Sequence, residues 1–387
     1  MQIYLDYSAT TPCRPEAMAS MNRVMAQAWG NPSSLHEWGQ RAATVLEQAR
    51  MQVASLINSS PLGIVFTSGG TESNNLAIYG VARQFSSPQH LIISSVEHAA
   101  VSQPMAFLES QGWQVTRLPV DRWGRVNPRD LDQAIQANTV LVSVIYGQSE
   151  VGTLQPISEL AKICRNRDVL FHTDAVQVAG RLPVDVQALG VDLLSLSSHK
   201  LYGPQGVGAL YIRPGVELHP FLAGGMQESG LRAGTQALPN IAGFGIAAEL
   251  AEVELLEEIA RLQTLRERLF AQLYACPQLQ PTGHRLYRLP HHLSFTVIDA
   301  YGTPLSGKTL VRQLNLAGIG VSSGSACNSG KSIPSPVLRA MGYDDGLAKS
   351  SLRLTLGKHT TAADIDWVGL VLPQVIERVT QAPVLMC

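Results

Sequence analysis

Charge imbalance is missing from this chain: 29 Lys and Arg stand against 30 Asp and Glu, a formal net charge of −1. No basic block interleaved with aromatics occurs, so a nucleic-acid backbone has no electrostatic footprint to bind. No apolar run is long enough to span a bilayer, and Met1–Asp6 lacks a basic stretch followed by an apolar one. The expectation is a cytoplasmic protein that contacts neither nucleic acid directly nor membrane. Cysteine is sparse. The five present (Cys13, Cys164, Cys276, Cys327 and Cys387) are odd in number, scattered and without a C-x-x-C pair. That pattern excludes a disulfide framework and a structural zinc site. Lysine is also scarce: six of the 29 basic residues (Lys162, Lys200, Lys308, Lys331, Lys349, Lys358) are lysine, which leaves 23 arginines.

What the chain does have is bulk and turns. Its 387 residues, 45% hydrophobic with 33 Gly and 22 Pro, exceed one ordinary core and suit a large domain with a smaller one. Short aliphatic runs alternate with helical patterns from about residue 64 to 212: Ile64–Phe66, Leu91–Ile93, Val140–Ile145, Val169–Phe171, Leu193–Leu196 and Ala209–Ile212. Alternation of this kind predicts an α/β fold, a mostly parallel sheet sandwiched by helices with its site at the strand C-termini. A long amphipathic helix is expected at roughly 246–275, with Leu250, Val253, Leu256, Ile259, Leu262, Leu265 and Leu269 spaced by three and four. It reads as a bridge to a small α+β domain that begins near the strand Leu293–Ile298. The division expected is 15–250 for the large domain, and 1–14 with 251–387 for the small one.

Three features carry chemistry. Ile64–Phe66 runs into Thr67-Ser68-Gly69-Gly70-Thr71-Glu72-Ser73-Asn74-Asn75, a glycine pair opening a helix, where backbone N–H groups and the dipole suit a phosphate. Alone, such a turn is equally compatible with a plain turn. Phe171–Gln177 places Asp174 at the end of an apolar strand, where it serves either as a helix N-cap or as a partner for a cationic ring nitrogen. Leu193–Leu196 leads directly into Ser197-Ser198-His199-Lys200, and of the six lysines only Lys200 sits between a buried strand and a Gly-Pro turn. Lysine condenses with an aldehyde and arginine does not. A phosphate turn, a strand-end acid and a strand-end lysine together are the parts of a pyridoxal 5'-phosphate (PLP) site.

These residues resemble the cysteine desulfurases of PLP fold type I, class V aminotransferase-like enzymes, in the group with a long cysteine-bearing loop typical of iron-sulfur-cluster and nitrogen-fixation desulfurases. The resemblance runs through Tyr4–Pro12, Gly30–Ser34, Thr67–Ser73, Val96–His98, His172–Gln177, Ser197–Lys200, Ser322–Cys327 and Ser350–Arg353. It implies that Lys200 carries the cofactor and later moves the substrate Cα proton, that Asp174 pairs with the ring nitrogen, and that His98 stacks on the ring and transfers protons. It implies Gly70, Thr71, Ser197 and His199 around the phosphate, Ser198 among the cofactor-binding residues, Gln177 at the ring hydroxyl and Arg353 on the substrate carboxylate. Thr235, in Gly230–Thr235, would reach the phosphate of a neighbouring subunit, so a homodimer is implied. One position departs: Ser149 stands where the family has an asparagine that touches both cofactor and substrate carboxylate, and a hydroxyl offers one donor where an amide offers two.

The implied activity converts L-cysteine to L-alanine and leaves a persulfide on Cys327 for a sulfur-acceptor protein or small thiol, in iron-sulfur assembly or tRNA thiolation. Cys327 lies in the small, polar stretch Val321–Ser332, a setting for a reactive loop thiol. A transient iron or iron-sulfur contact through it is the only metal role expected. Cys164 falls on the apolar side of a helix at Ile157–Arg165, and the other three cysteines lack activating neighbours. The alternatives are a selenocysteine lyase or another class V enzyme and, more remotely, a nucleotide hydrolase, because Gly302–Thr309 fits G-x-x-x-x-G-K-[ST]. Only 78 residues follow that motif, too few for the rest of such a fold. The sequence closes at Gln381–Cys387 without the C-terminal segment by which related desulfurases dock a scaffold. Scaffold binding is therefore expected to be weaker than micromolar in a calorimetric titration, and a tighter complex would refute this.

Overall fold

The computed structural model describes residues 2–324 and 333–381. Its strands are β1 (Ile3–Tyr4), β2 (Ile64–Thr67), β3 (His90–Ser94), β4 (Gln114–Leu118), β5 (Thr139–Ser143), β6 (Leu170–Asp174), β7 (Leu193–Ser197), β8 (Gly208–Ile212), β9 (Leu279–Pro281), β10 (His292–Val297), β11 (Ile319–Gly320) and β12 (Ser351–Thr355). Seven of them form one sheet in the order β2-β8-β7-β6-β5-β3-β4. Only β8 runs against its neighbours; the other six point the same way. The mixed α/β class with a mostly parallel sheet follows directly from the burial of these runs. Strands β2, β3, β7 and β8 have no exposed residue, because helices cover both faces and leave no polar side for alternation.

Strand β4 is the one strand of the large sheet missed by the sequence pattern. It lies at the sheet edge with its first four residues partly or fully exposed, so its polar and apolar residues mix and no apolar run announces it. The long helix spans Leu238–Leu273, starting eight residues before the amphipathic pattern. Its first part, including Ile241, Phe244, Ala247 and Ala248, is buried on most sides, which erases periodicity. Val253 and Leu256, expected on the apolar face, are instead 78% and 74% exposed. The apolar contacts break there: Leu238–Ala251 join the core under the large sheet, and Leu262–Leu273 join a second core with β10, β12 and the helix Ala362–Gln381.

The small sheet β12-β10-β9 is antiparallel, and it corrects the nucleotide-loop reading of Gly302–Thr309. That segment follows an antiparallel strand, folds into a tight turn where Asp299 Oδ1 accepts the N–H of Tyr301 and Thr303, and enters the helix Gly307–Leu316 capped by Ser306. A phosphate loop needs a parallel strand feeding its helix. Among the described residues, no helix is long and apolar enough to cross a membrane.

Candidate active site

Because β2, β3, β5, β6 and β7 share a direction, the segments leaving their C-terminal ends meet at one edge of the sheet, where ligands bind in such folds. They enclose a cavity of about 250 Å³ lined by Gly70 and Thr71 after β2, His98 after β3, Ser149 after β5, Asp174 and Gln177 at β6, and Ser197, His199 and Lys200 at β7. The N-terminal strap contributes Ser8 and Ala9, and β12 contributes Arg353. Ten of the residues singled out from sequence are thus brought together. Ser198 is not among the lining: it is buried behind the wall, against Gly203, where an added Cβ would lie 2.0 Å from Ser198 Oγ. Thr235 is exposed and lies outside this cavity. Cys327 falls outside the described residues.

One end of the cavity is built for an anion. The helix Gly70–Ala82 starts there, and its cap Gly69 holds φ +154°, a conformation that side chains rarely adopt. A Cβ on Gly70 would come within 2.7 Å of Val176 Cγ2, so only glycine lets the helix start sit this close to the slot. Thr71, Ser197 and His199 line the same end. In the same cavity Asp174 is held on both oxygens: Asn74 Nδ2 donates to Oδ2 at 2.7 Å and Val176 N to Oδ1 at 3.0 Å. Asn74 was quoted in the glycine motif but given no role, because its contact with Asp174 spans a hundred residues.

Lys200 Nζ donates to Ser8 O and Ala9 O, each at 2.7 Å. Burial, then the Arg181 and Arg353 cations, pull its pKa down to about 7 against the opposing Asp174 and Asp6. A neutral amine is therefore abundant near neutral pH, as a nucleophile requires. Burial, Lys200 and Arg181 hold His199 down at about 4, so it meets an anion as neutral imidazole. His98 caps the helix Ala99–Ser110, its Nδ1 accepting from Ala100 N at 3.1 Å. Its neutral form therefore carries the proton on Nε2.

Arg353 Nη2 binds Asp6 Oδ1 at 2.6 Å and Nη1 binds Ser149 O at 3.1 Å. His292 Nε2 also donates to Ser149 O, at 3.0 Å. The backbone at Ser149 is thus fixed from two sides although its side chain is short. The two ends of the cysteine-bearing stretch are anchored beside it. Ser322 pairs with Arg353 through both backbone hydrogen bonds, and Ser335 Oγ donates to Glu150 Oε2 at 2.6 Å.

Glu97, adjacent to His98, is wholly enclosed. It accepts from Ser94 Oγ and, at 2.9 Å, from Ile145 N, and burial pushes its carboxyl up to about 8. A value raised above the ordinary one means that its contribution to stability is complete in acid and is lost as pH climbs towards and through about 8. Glu97→Gln keeps the acceptor without a titratable proton. Wild type should therefore lose on the order of 2 kcal/mol more than this variant between about pH 6 and pH 9. Thermal denaturation at both pH values checks this; parallel losses would show that Glu97 is not protonated in the fold.

Residues 3–368 match the Aminotransferase class-V family. The cysteine desulfurase IscS of Dictyoglomus turgidum is 46% identical over 379 residues, 97% of this chain and 95% of the relative. A solved NifS-like protein superposes with TM-score 0.91 at 34% identity, covering 98% of this chain and all of that one. A structure described as SspA in complex with cysteine superposes at 0.81 with 34% identity, covering 93% and 100%. The chain belongs to the class-V aminotransferases and, within them, to the cysteine desulfurases.

Proposed function

We propose that this cysteine desulfurase holds PLP in the cavity and converts L-cysteine to L-alanine, leaving a persulfide on Cys327. The single observation that carries the reading is the convergence of a glycine-opened helix start, a doubly held Asp174 and the strand-end Lys200 around one slot. The slot fits the cofactor: a dianionic phosphate suits the Gly70–Thr71 end, and a cationic ring nitrogen suits a carboxylate whose oxygens are already oriented. PLP, when bound, supplies a carbonyl that captures the substrate amine and a ring that takes up the electron pair freed at Cα.

The chain supplies the rest. Lys200 Nζ would hold the cofactor's carbonyl and, as a free amine, take the substrate Cα proton. Arg353 offers its guanidinium to the substrate carboxylate, and Asp6 and Ser149 O fix that guanidinium in place. His98 presents Nε2–H towards the reacting atoms. The Cys327 thiolate bonds to the substrate sulfur as the Cβ–S bond breaks; that electron pair returns to carbon, which gains a proton and leaves as the alanine methyl. Gly324, three residues before Cys327, lies beside Ser351 and Glu150.

The separate cores that take up Leu238–Ala251 and Leu262–Leu273 support a division into 15–250 and 1–14 with 251–387. Exposed Trp29, Leu35 and Met226, at 68%, 93% and 81%, together with an exposed Thr235, support a homodimer in which Thr235 serves the partner's site. We place the enzyme in the cytoplasm, passing sulfur to an acceptor protein or small thiol. The test is direct: the purified protein should absorb in the visible and release alanine from L-cysteine. A colourless protein that leaves cysteine intact in the presence of added PLP would refute the proposal.

A further inference from the structure

Beneath the cavity, four residues past Gln177, lies a guanidinium that neither the resemblance nor the mechanism above uses. Arg181 is 6% exposed and has no carboxylate partner among the described residues. Its Nη1 donates to Gln177 Oε1 at 2.7 Å and to Gln177 O at 3.3 Å, and its Nη2 donates to Tyr7 O at 2.8 Å. A guanidinium has donors only, so the atom of the Gln177 carboxamide that meets it must be the oxygen. At its other end the carboxamide Nε2 donates to Ser8 O at 2.9 Å, and a backbone carbonyl can only accept. Two independent partners therefore fix the same orientation. The second Nε2 proton is left for the cavity that Gln177 lines.

The chain of contacts continues to the reactive amine, because Ser8 O also receives Lys200 Nζ. The charged and titratable groups facing Lys200 are Arg181, Arg353, Asp174, Asp6 and His199. Arg353 is bound to Asp6 and Asp174 is held by Asn74, which leaves Arg181 as the cation without a counter-ion among the described residues. Arg181 in turn faces Tyr202, Arg353, His199, His291 and His292, none of which neutralises it. A cation beside a desolvated lysine is a recognised way to free its lone pair.

We propose that Arg181 is a positioning residue of the cofactor site. By occupying the carboxamide oxygen of Gln177, it ensures that an N–H and not a carbonyl meets the cofactor's ring oxygen, and it sets an uncompensated cation beside the Lys200 amine. The inference rests on the reading that PLP fills the cavity. Both effects have one sign: a donor to the ring oxygen favours its deprotonated form, and a nearby cation disfavours protonation of the nitrogen of Lys200.

The test is a pH titration of the visible absorbance of the holoenzyme. In Arg181→Met the midpoint should move to higher pH by about one unit, because the cation is gone and Gln177 is free to rotate. Arg181→Lys, which restores charge and a donor, should return most of the shift. If the methionine variant does not fold, Arg181→Gln fills the space without charge and should show the same upward move. A midpoint that stays at the wild-type value in the folded, coloured Met or Gln variant would overturn the proposal, as would a Lys variant shifted as far as the neutral ones. Failure of the underlying reading looks different: the wild-type protein itself would then have no visible band to titrate.

Discussion

Lys200→Ala should yield a folded protein that releases alanine from L-cysteine at least about a thousandfold more slowly than wild type, and from which sodium borohydride no longer fixes PLP. The size of the effect follows from two roles lost at once. Among the described residues the amine is the only lysine nitrogen lining the cavity, so none of these neighbours can condense with the cofactor in its place. The Cα proton also loses its acceptor, and the alternatives are poorly placed: His199 meets Thr10 through Nδ1, and His98 Nδ1 is engaged by Ala100 N. Lys200→Arg is the informative companion, since it keeps a cation near Ser8 and Ala9 but cannot condense. It should be as inactive as the alanine variant. Alanine release by either variant near the wild-type rate would remove Lys200 from the mechanism.

The second large effect is expected at Cys327. Cys327→Ser should keep the visible band and lose persulfide formation from L-cysteine by at least about a hundredfold, because attack on sulfur requires a thiolate and a serine hydroxyl is not ionised at neutral pH. The remaining cysteines within the described residues are poor substitutes. Burial raises the thiols of Cys13, Cys164 and Cys276 above the ordinary range, and Cys164 is fully enclosed in the large core. Residual activity on selenocysteine would not count against the role, since selenium can leave without thiolate attack. Protein-bound sulfane sulfur in the Cys327→Ser variant would require a different nucleophile.

Lys200 is legible in the sequence for a physical reason, whereas Cys327 is named through the resemblance. Residues that act through local backbone geometry leave local signatures: a glycine pair where a helix must start close to a ligand, a lysine between a buried strand and a Gly-Pro turn. The parallel sheet was legible for the same reason, since strands covered on both faces become unbroken apolar runs. What escaped were features defined by distant partners. Strand β4 is half-exposed at an edge, the first turns of Leu238–Leu273 are buried too completely to show a period, and Asn74, Arg181 and His292 matter through contacts that the local sequence does not contain. Ser198 shows how a motif can hold residues that face different ways. Its place in Ser197–Lys200 suggested a cofactor contact, yet in the short helical turn Ser198–Lys200 its side chain faces inward while Ser197 and His199 line the cavity.

The account turns on where the substrate's sulfur goes. Wild-type enzyme given one equivalent of isotopically labelled L-cysteine without added thiol, then digested and analysed by mass spectrometry, should carry one labelled sulfur on the peptide containing Cys327. One alanine should be released for each sulfur retained. Label on any other cysteine, or alanine released with no sulfur on the protein, would contradict the account.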